Sequence, residues 1–198
     1  MKRKTSSPQR TILIERGTAL FHAQGYTATG VREVATAAGL PQGSFTNHFR
    51  SKEDFGSEVL AHYVLQLEAI MERTLQDKTR NPFDRIMTYV DEIEQLVRTP
   101  DWKVGCLIPD MASEVSAHSE VLRRRLAEIM TRHTAYYAEA LGEAFEKETA
   151  EDLAGGILAA WHGTLLRMKV ERSGEPIARF RRFISRVWPV AGKNLCTK

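Results

Sequence analysis

One short stretch carries most of the hydrogen-bonding chemistry this sequence offers. It reads Gly39-Leu-Pro-Gln-Gly-Ser-Phe-Thr-Asn-His-Phe-Arg-Ser-Lys-Glu53. It holds no cluster of acids, bases or thiols suited to chemistry on a substrate. Gln42, Ser44, Thr46 and Asn47 instead offer donors and acceptors of the kind that read base edges in a DNA major groove. His48 and Lys52 suit phosphate at the flank. Gly43 and Ser44 lack bulk, so a backbone there can come close to a partner. Phe45 and Phe49 are four apart and fall on one face of a helix, the face that would dock inward. Upstream, Thr29 and Arg32 are placed to grip the nucleic-acid backbone near the opposite edge of the groove.

Other chemistries are poorly represented. The six histidines, His22, His48, His62, His118, His133 and His162, form no close His/Cys/Glu spacing suited to zinc, so no metal is expected. No phosphate-binding loop, nucleophile elbow or acid pair appears, and no cofactor is expected. Cys106 is the one reactive candidate. It lies in Trp102-Lys-Val-Gly-Cys-Leu-Ile108, at the expected start of a helix, where thiolate is stabilised and Lys103 would help. The competing reading is a buried small hydrophobe.

Composition sets the frame for these residues. The chain has 198 residues, 42% of them apolar, enough for a core, and a formal net charge of only +3. The charge is uneven. Residues 1–55 hold eight Lys or Arg, Lys2, Arg3 and Lys4 among them, against four acids, a balance of 8 − 4 = +4. A basic end on a near-neutral body suits a polyanionic partner at that end. Two cysteines, Cys106 and Cys196, are too few for a disulfide framework. MKRKTSSPQR leads into no apolar segment, and the uncharged run Leu153 to Leu166 is too short to span a bilayer. A reducing cytoplasm, with no membrane, is the expected location.

The elements that must position the chemistry are helices. Apolar residues recur with helical period and never alternate long enough for a sheet. The spacing predicts a first helix over about Pro8–Ala23, stopped by Gly25. Thr29 would cap a short second helix to about Ala38, ended by Gly39. A third runs over about Gln42–His48. Ser51 caps a long fourth, with Asp54 placed for a capping box. Asn81-Pro82 opens a fifth to about Arg98. A short sixth covers about Gly105–Val115, bent or interrupted by Pro109. A long seventh starts at Ser119. Thr149 opens an eighth to about Val170, and Pro176 a ninth to about Ala191. The second and third, joined by Gly39-Leu40-Pro41, have helix-turn-helix dimensions.

The same residues carry a resemblance. Gly25-Tyr-Thr-Ala-Thr29, Val31-Arg-Glu-Val-Ala35, Ala38-Gly39 and Gly43-Ser-Phe-Thr-Asn-His-Phe-Arg-Ser-Lys-Glu53 resemble the TetR family of transcriptional repressors, over about residues 8–60. Three positions depart from the family pattern. Thr46 stands where an aromatic is usual, His48 where Tyr is common and Pro41 where Ser is common. The resemblance implies an all-α homodimer with a three-helix DNA-binding domain, residues 1–52, and a helical effector-binding and dimerisation domain, residues 53–198. It implies a double-stranded operator and an unknown small-molecule effector as partners.

Candidates for an effector cavity in that body are Tyr63, Leu67, Tyr89, Trp102, Cys106, Met111, His133, Tyr137 and Trp161, with core packing as the competing role. Gly-Cys-Leu segments occur in branches of the family that respond to reactive electrophiles, which implies a thiol sensor at Cys106 as an alternative. Small and large residues mixed on the eighth helix would let helices approach closely, so Leu153, Ile157 and Trp161 are expected at the dimer interface with Phe180, Phe183, Ile184 and Val187 of the ninth, with the chain's own core as the competing role. Arg179, Arg181, Arg182 and Arg186 read as a solvated or salt-bridged face. Two rivals are a helical enzyme and an interaction module that uses DNA as a tether.

Overall fold

The computed structural model describes residues 7–99 and 101–193, so Lys2, Arg3, Lys4 and Cys196 lie outside the described residues. Nine helices and no strand occur among the described residues: α1 Pro8–Gln24, α2 Val31–Ala37, α3 Gly43–His48, α4 Lys52–Leu75, α5 Pro82–Val97, α6 Leu107–Val115, α7 Glu120–Leu141, α8 Lys147–Glu171 and α9 Glu175–Lys193. This is the all-α class the periodicity predicts.

Local chemistry explains most boundaries. Ser7 Oγ accepts from the Arg10 amide and Pro8 fills the first helical position, where its missing N–H costs nothing. Gly25 ends α1 at φ +88°, a conformation other residues rarely adopt, and its N–H donates to Phe21 O. Gly39, at φ +67°, ends the α2 turn. Ser51 Oγ accepts from the Asp54 amide at 3.0 Å, while the Asp54 carboxylate takes the Arg50 N–H, one residue further back than a capping box requires. Asn81 and Ser119 cap α5 and α7 through the amides of Asp84 and Leu122.

Three expectations are corrected. Thr29 does not cap α2. Its hydroxyl donates to the orphan carbonyl of Gly25 at 2.7 Å, and Gly30 precedes the helix instead. Pro109 does not interrupt α6, because it falls in the first turn, where a helix has spare N–H groups. Helix α8 starts at Lys147, ahead of Thr149, with Glu146 O accepting from the Ala150 amide.

By compactness the chain forms two units, residues 1–65 with 107–126, and residues 66–106 with 127–198. The first contains α1, α2, α3, the start of α4, α6 and the start of α7. Its buried residues include Leu13, Phe21, Val34, Phe45, Phe49 and Phe55. The second contains the rest of α4 and α7 with α5, α8 and α9, and buries Met71, Ile86, Tyr89, Tyr137, Trp161 and Ile184.

Candidate functional site

Helix α3 is divided lengthwise. Phe45 and Phe49 are 3% and 2% exposed, while Gln42, Gly43, Thr46 and Asn47 are open to solvent. The division has a packing cause. Phe55, in the first turns of α4, lies edge-on to both phenylalanines, with ring centroids 5.1 Å from Phe45 and 4.8 Å from Phe49, and also meets Phe21 at 5.8 Å. Beneath it is Gly17 of α1, where a Cβ would stand 2.2 Å from the Phe55 ring. The aromatic cluster therefore fixes which side of α3 faces in, and the polar side follows.

On the open side, the side-chain amides of Gln42 and Asn47 have no hydrogen-bond partner among the described residues. Thr46 Oγ1 donates to Gly43 O at 3.0 Å, which leaves its lone pairs outward. A side chain at Gly43 would meet nothing, so a partner has clear access to the backbone there. Ser44 and His48 are partly exposed, with His48 Nε2 3.5 Å from Gln9 Oε1 on α1. Arg32 is exposed in the first turn of α2.

Two expected contact residues sit differently. Thr29 is 1% exposed with its hydroxyl committed to Gly25 O, so its side chain does not stand on this face. Lys52 is partly buried. Its ammonium donates to Thr27 O at 3.0 Å and lies 4.5 Å from the centre of the Tyr26 ring. Burial pushes its pKa down, opposed by the charge of Glu114. Lys52 is thus a tie between α4 and the α1–α2 turn before it is a phosphate ligand.

Sequence reasoning missed the other half of that tie. Glu114 of α6 accepts from the amides of Tyr26 and Thr27 at 3.1 and 2.7 Å. No local signal marks Glu114, because its partners are 88 and 87 residues away in the chain. Arg10 was also unmarked. It pairs with Glu58 at 2.9 Å and lies 5.2 Å from the Phe49 ring centre, backing α3 from α1.

The residues expected to line an effector cavity divide between the units. Tyr63 and Met111 belong to the first, Tyr63 with its ring 5.4 Å from that of His22. In the second, Tyr89, Cys106, Tyr137 and Trp161 come together. The Tyr89 ring is 5.7 Å from Tyr137 and 6.2 Å from Trp161, edge-on to both. Burial pushes both tyrosine pKa values up, and the nearby Cys106 thiol adds to this. One turn before Tyr137, His133 is 1% exposed, and neither ring nitrogen has a hydrogen-bond partner. Burial, with the charges of His162 and Arg132, lowers its pKa to about 4, so it is neutral at pH 7.

Leu67 is buried on α4. Trp102 stands in the α5–α6 loop at φ +51°, against Gly174, where a Cβ would be 2.8 Å from its ring. Cys106 directly precedes α6 and is 6% exposed. Lys103 is exposed and paired with Asp101 at 2.5 Å, so it does not serve the thiol.

Most of the expected dimer residues take the competing core role within the chain. Ile157, Trp161, Phe180 and Ile184 are at most 5% exposed and fill the protomer's own core, and Leu153 and Val187 are partly covered. Phe183 alone of that group is well exposed, at 48%. The open apolar surface of α8 is instead Gly155, Gly156, Ala159, Gly163, Leu166 and Val170. A groove of about 250 Å³ beside it is lined by Ala160, Thr164 and Arg167 of α8 and by Pro176, Arg179, Phe180 and Phe183 of α9. Three basic residues of α9 pair with acids of the same chain: Arg181 with Asp91 and Glu94, and Arg179 and Arg182 with Glu175.

Among the described residues no cluster of His, Cys, Asp and Glu is placed to hold a metal ion, and no helix is long and apolar enough to cross a membrane.

Comparison with known proteins agrees with the geometry. Residues 13–59 match the family described as bacterial regulatory proteins, tetR family. Residues 82–183 match the transcriptional regulator LmrA/YxaF-like C-terminal domain. The chain is 36% identical to the HTH-type transcriptional repressor DhaR of Mycobacterium sp. (strain GP1), over 88% of this chain and 89% of that one. It is 30% identical to the HTH-type transcriptional repressor NemR of Escherichia coli (strain K12), over 89% of this chain and 92% of that one. The crystal structure of the reduced form of E. coli NemR superimposes with a TM-score of 0.80, covering 90% of this chain and 95% of that one. That of a regulatory protein TetR from Rhodobacter sphaeroides, 26% identical, gives a TM-score of 0.85 over 91% of this chain and 98% of that one.

Proposed function

This chain belongs to the TetR family of bacterial regulatory proteins, as a DNA-binding transcriptional regulator and not an enzyme, and we propose that it is a cytoplasmic repressor that holds a pseudo-palindromic operator as a homodimer and releases it when a small-molecule effector binds. Residues 1–52 read DNA in this account, and residues 53–198 bind the effector and the second protomer.

The observation that carries the reading is the lengthwise division of α3, with two phenylalanines locked inward and two exposed amides outward that have no hydrogen-bond partner among the described residues. A helix of this kind fits the major groove, where an amide can bond two atoms of one base edge. Arg32, Gly43, Ser44, Thr46 and His48 would set its depth and register on the sugar-phosphate backbone. Phosphate contacts supply much of the affinity, so binding should fall steeply with salt. For dimerisation, the small residues of α8 leave room for a second copy's helix to approach closely, with Leu166, Val170 and Phe183 as apolar anchors. For the effector, the Tyr89–Tyr137–Trp161 group supplies aromatic walls, and His133 supplies an imidazole with both nitrogens unengaged.

Sequencing the duplexes that the purified chain retains from a random pool, with and without candidate effectors, tests the reading. The retained DNA should be an inverted repeat, and a lone half-site would refute the homodimer. Asn47→Ala and Gln42→Ala should each change the preferred base at one position per half-site. Each should cost about 1–3 kcal/mol against the wild-type site. The same retained sequence for both variants would strip these residues of a reading role.

A second reading has its own observation. Cys106 sits at the foot of α6 beside two tyrosine hydroxyls, in a chain similar to a repressor solved in a reduced form. The inducing event would then be addition of an electrophile to the thiol. In a Cys196→Ser background, N-ethylmaleimide should release the operator at least roughly tenfold, the shift that 1.4 kcal/mol produces. Cys106→Ser should abolish that release, and equal release from both proteins removes the thiol reading.

A further inference from the structure

Two carboxylates of the first unit bind across large sequence gaps. Glu114, near the end of α6, holds the backbone amides of Tyr26 and Thr27, one oxygen on each, at 3.1 and 2.7 Å. Glu53, the second residue of α4, accepts from the Ser119 hydroxyl ahead of α7 at 2.5 Å. The α6–α7 corner is therefore fastened at one end to the α1–α2 turn and at the other to the start of α4.

The fastening at Tyr26-Thr27 is two-sided. Its amides point to Glu114, while Lys52 takes the Thr27 carbonyl at 3.0 Å and covers the Tyr26 ring. Both amides follow Gly25, where α1 has ended, so no helical carbonyl is available to them. A carboxylate is the strongest acceptor for such donors, and each bond is charge-assisted. The fit is close: a Cβ at Gly25 would lie 2.6 Å from Glu114 Oε1. Lys52 is also the first residue of α4, four positions after the last residue of α3. Glu114, the turn and Lys52 thus form one chain of contacts inside a single compact unit, and three residues of backbone join Lys52 to the end of α3.

We propose that Glu114 is a positioning residue for DNA reading: by holding Tyr26-Thr27 it fixes, through Lys52, the pose of α3. The inference rests on the DNA-reading role proposed above. It has a specific consequence. Phosphate contacts tolerate small displacements, but base-edge hydrogen bonds weaken steeply once distance or angle departs from the optimum. Loss of the carboxylate should therefore erode preference for the operator while sparing general affinity for DNA.

The test uses the full chain and the duplex it selects from a random pool, with a scrambled duplex of equal length as reference. Amide exchange at Tyr26 and Thr27 reads the contact itself. Glu114→Ala should speed exchange at both amides and weaken binding to the selected duplex roughly tenfold, the loss of one or two charge-assisted bonds. Affinity for the scrambled duplex should stay within about twofold, because the phosphate contacts remain. Glu114→Gln, which keeps one acceptor oxygen, should fall between, and it decides the matter by the same readouts if the alanine variant does not fold.

Faster exchange with undiminished operator preference would overturn the positioning role. So would unchanged exchange, because the contact would then bear no load. If the wild-type chain prefers no duplex, the DNA-reading role itself falls and Glu114's part in it with it, and the exchange data still show whether the clamp exists.

Discussion

Phe55→Ala should destabilise the protein by about 3–5 kcal/mol, the usual range for emptying a buried phenylalanine site, and should abolish operator preference. Phe55 is fully buried. Its ring touches three others, Phe21, Phe45 and Phe49, in edge-to-face pairs. Each such pair adds about 0.5–1.5 kcal/mol beyond burial. The ring also rests on Gly17, whose lack of a side chain is what lets α1 and α4 approach.

Removal therefore opens a cavity under both phenylalanines that orient α3. The polar face of α3 loses its fixed direction even if the helix survives. Thermal unfolding at fixed protomer concentration should show a drop of about 10 °C or more. DNA binding, measured well below the new midpoint, should retain only the salt-sensitive, sequence-independent component. Phe55→Leu, which refills most of the volume, should recover part of both. A Phe55→Ala chain with unaltered midpoint and operator affinity would remove the aromatic cluster as the cause of α3's orientation.

Arg85→Ala should cost about 3 kcal/mol, because the guanidinium of Arg85 is a buried charge with each of its nitrogens hydrogen-bonded. Its side chain is 2% exposed. Nε donates to the carbonyls of Asp77 and Arg80 at 2.7 and 2.9 Å, and both terminal nitrogens bond the two oxygens of Glu143 at 2.9 Å. The fork closes the α4–α5 turn and fastens it to the end of α7. Alanine leaves the Arg80 carbonyl without its donor, leaves the Asp77 carbonyl with only the Arg80 amide, and opens an apolar hole where the stem lay. Arg85→Met, which refills the hole only, should recover less than half.

Acid offers an independent check. The Arg85 hydrogen bonds hold the Glu143 pKa below the ordinary carboxylate value. A depressed folded pKa contributes stability that is complete above the ordinary Glu range and lost as pH falls through the lowered value. The wild-type chain should show that loss and Arg85→Ala should lack it. A urea midpoint for Arg85→Ala within about 1 kcal/mol of wild type would mean the fork carries little.

Much of the fold was visible in the order of residues. The spans of α1, α4, α5 and α7 follow from apolar spacing and from caps within a few positions: Ser7, Ser51, Asn81 and Ser119 each bond an amide three residues on. The two faces of α3 were equally plain, since Phe45 and Phe49 share a side by helical geometry whatever lies beneath them. Boundaries slipped where a cap had a rival. Thr29 had the type of a capping residue, but the Gly25 carbonyl at the end of α1 was nearer.

The candidate sites were less visible. A lysine beside the reader helix looks like a phosphate ligand until Tyr26 and Thr27 fold over it. Apolar residues at helical spacing on α8 and α9 announce a packed face without saying which face. Ile157, Trp161, Phe180 and Ile184 point inward, and Gly155, Gly156 and Gly163 of α8 remain open.

The sequence by itself determined the helices, the inward and outward sides of α3 and the family, because each depends on neighbours within about one to three turns along the chain. The tertiary structure alone decided that Glu114 reaches Tyr26, that Arg85 meets Glu143 and that Tyr89, Tyr137 and Trp161 share one cluster. Those partners lie tens of residues apart, and no short-range preference ranks them. They are selected only when burial forces each amide, hydroxyl and charge to find a partner among the groups that packing has brought near.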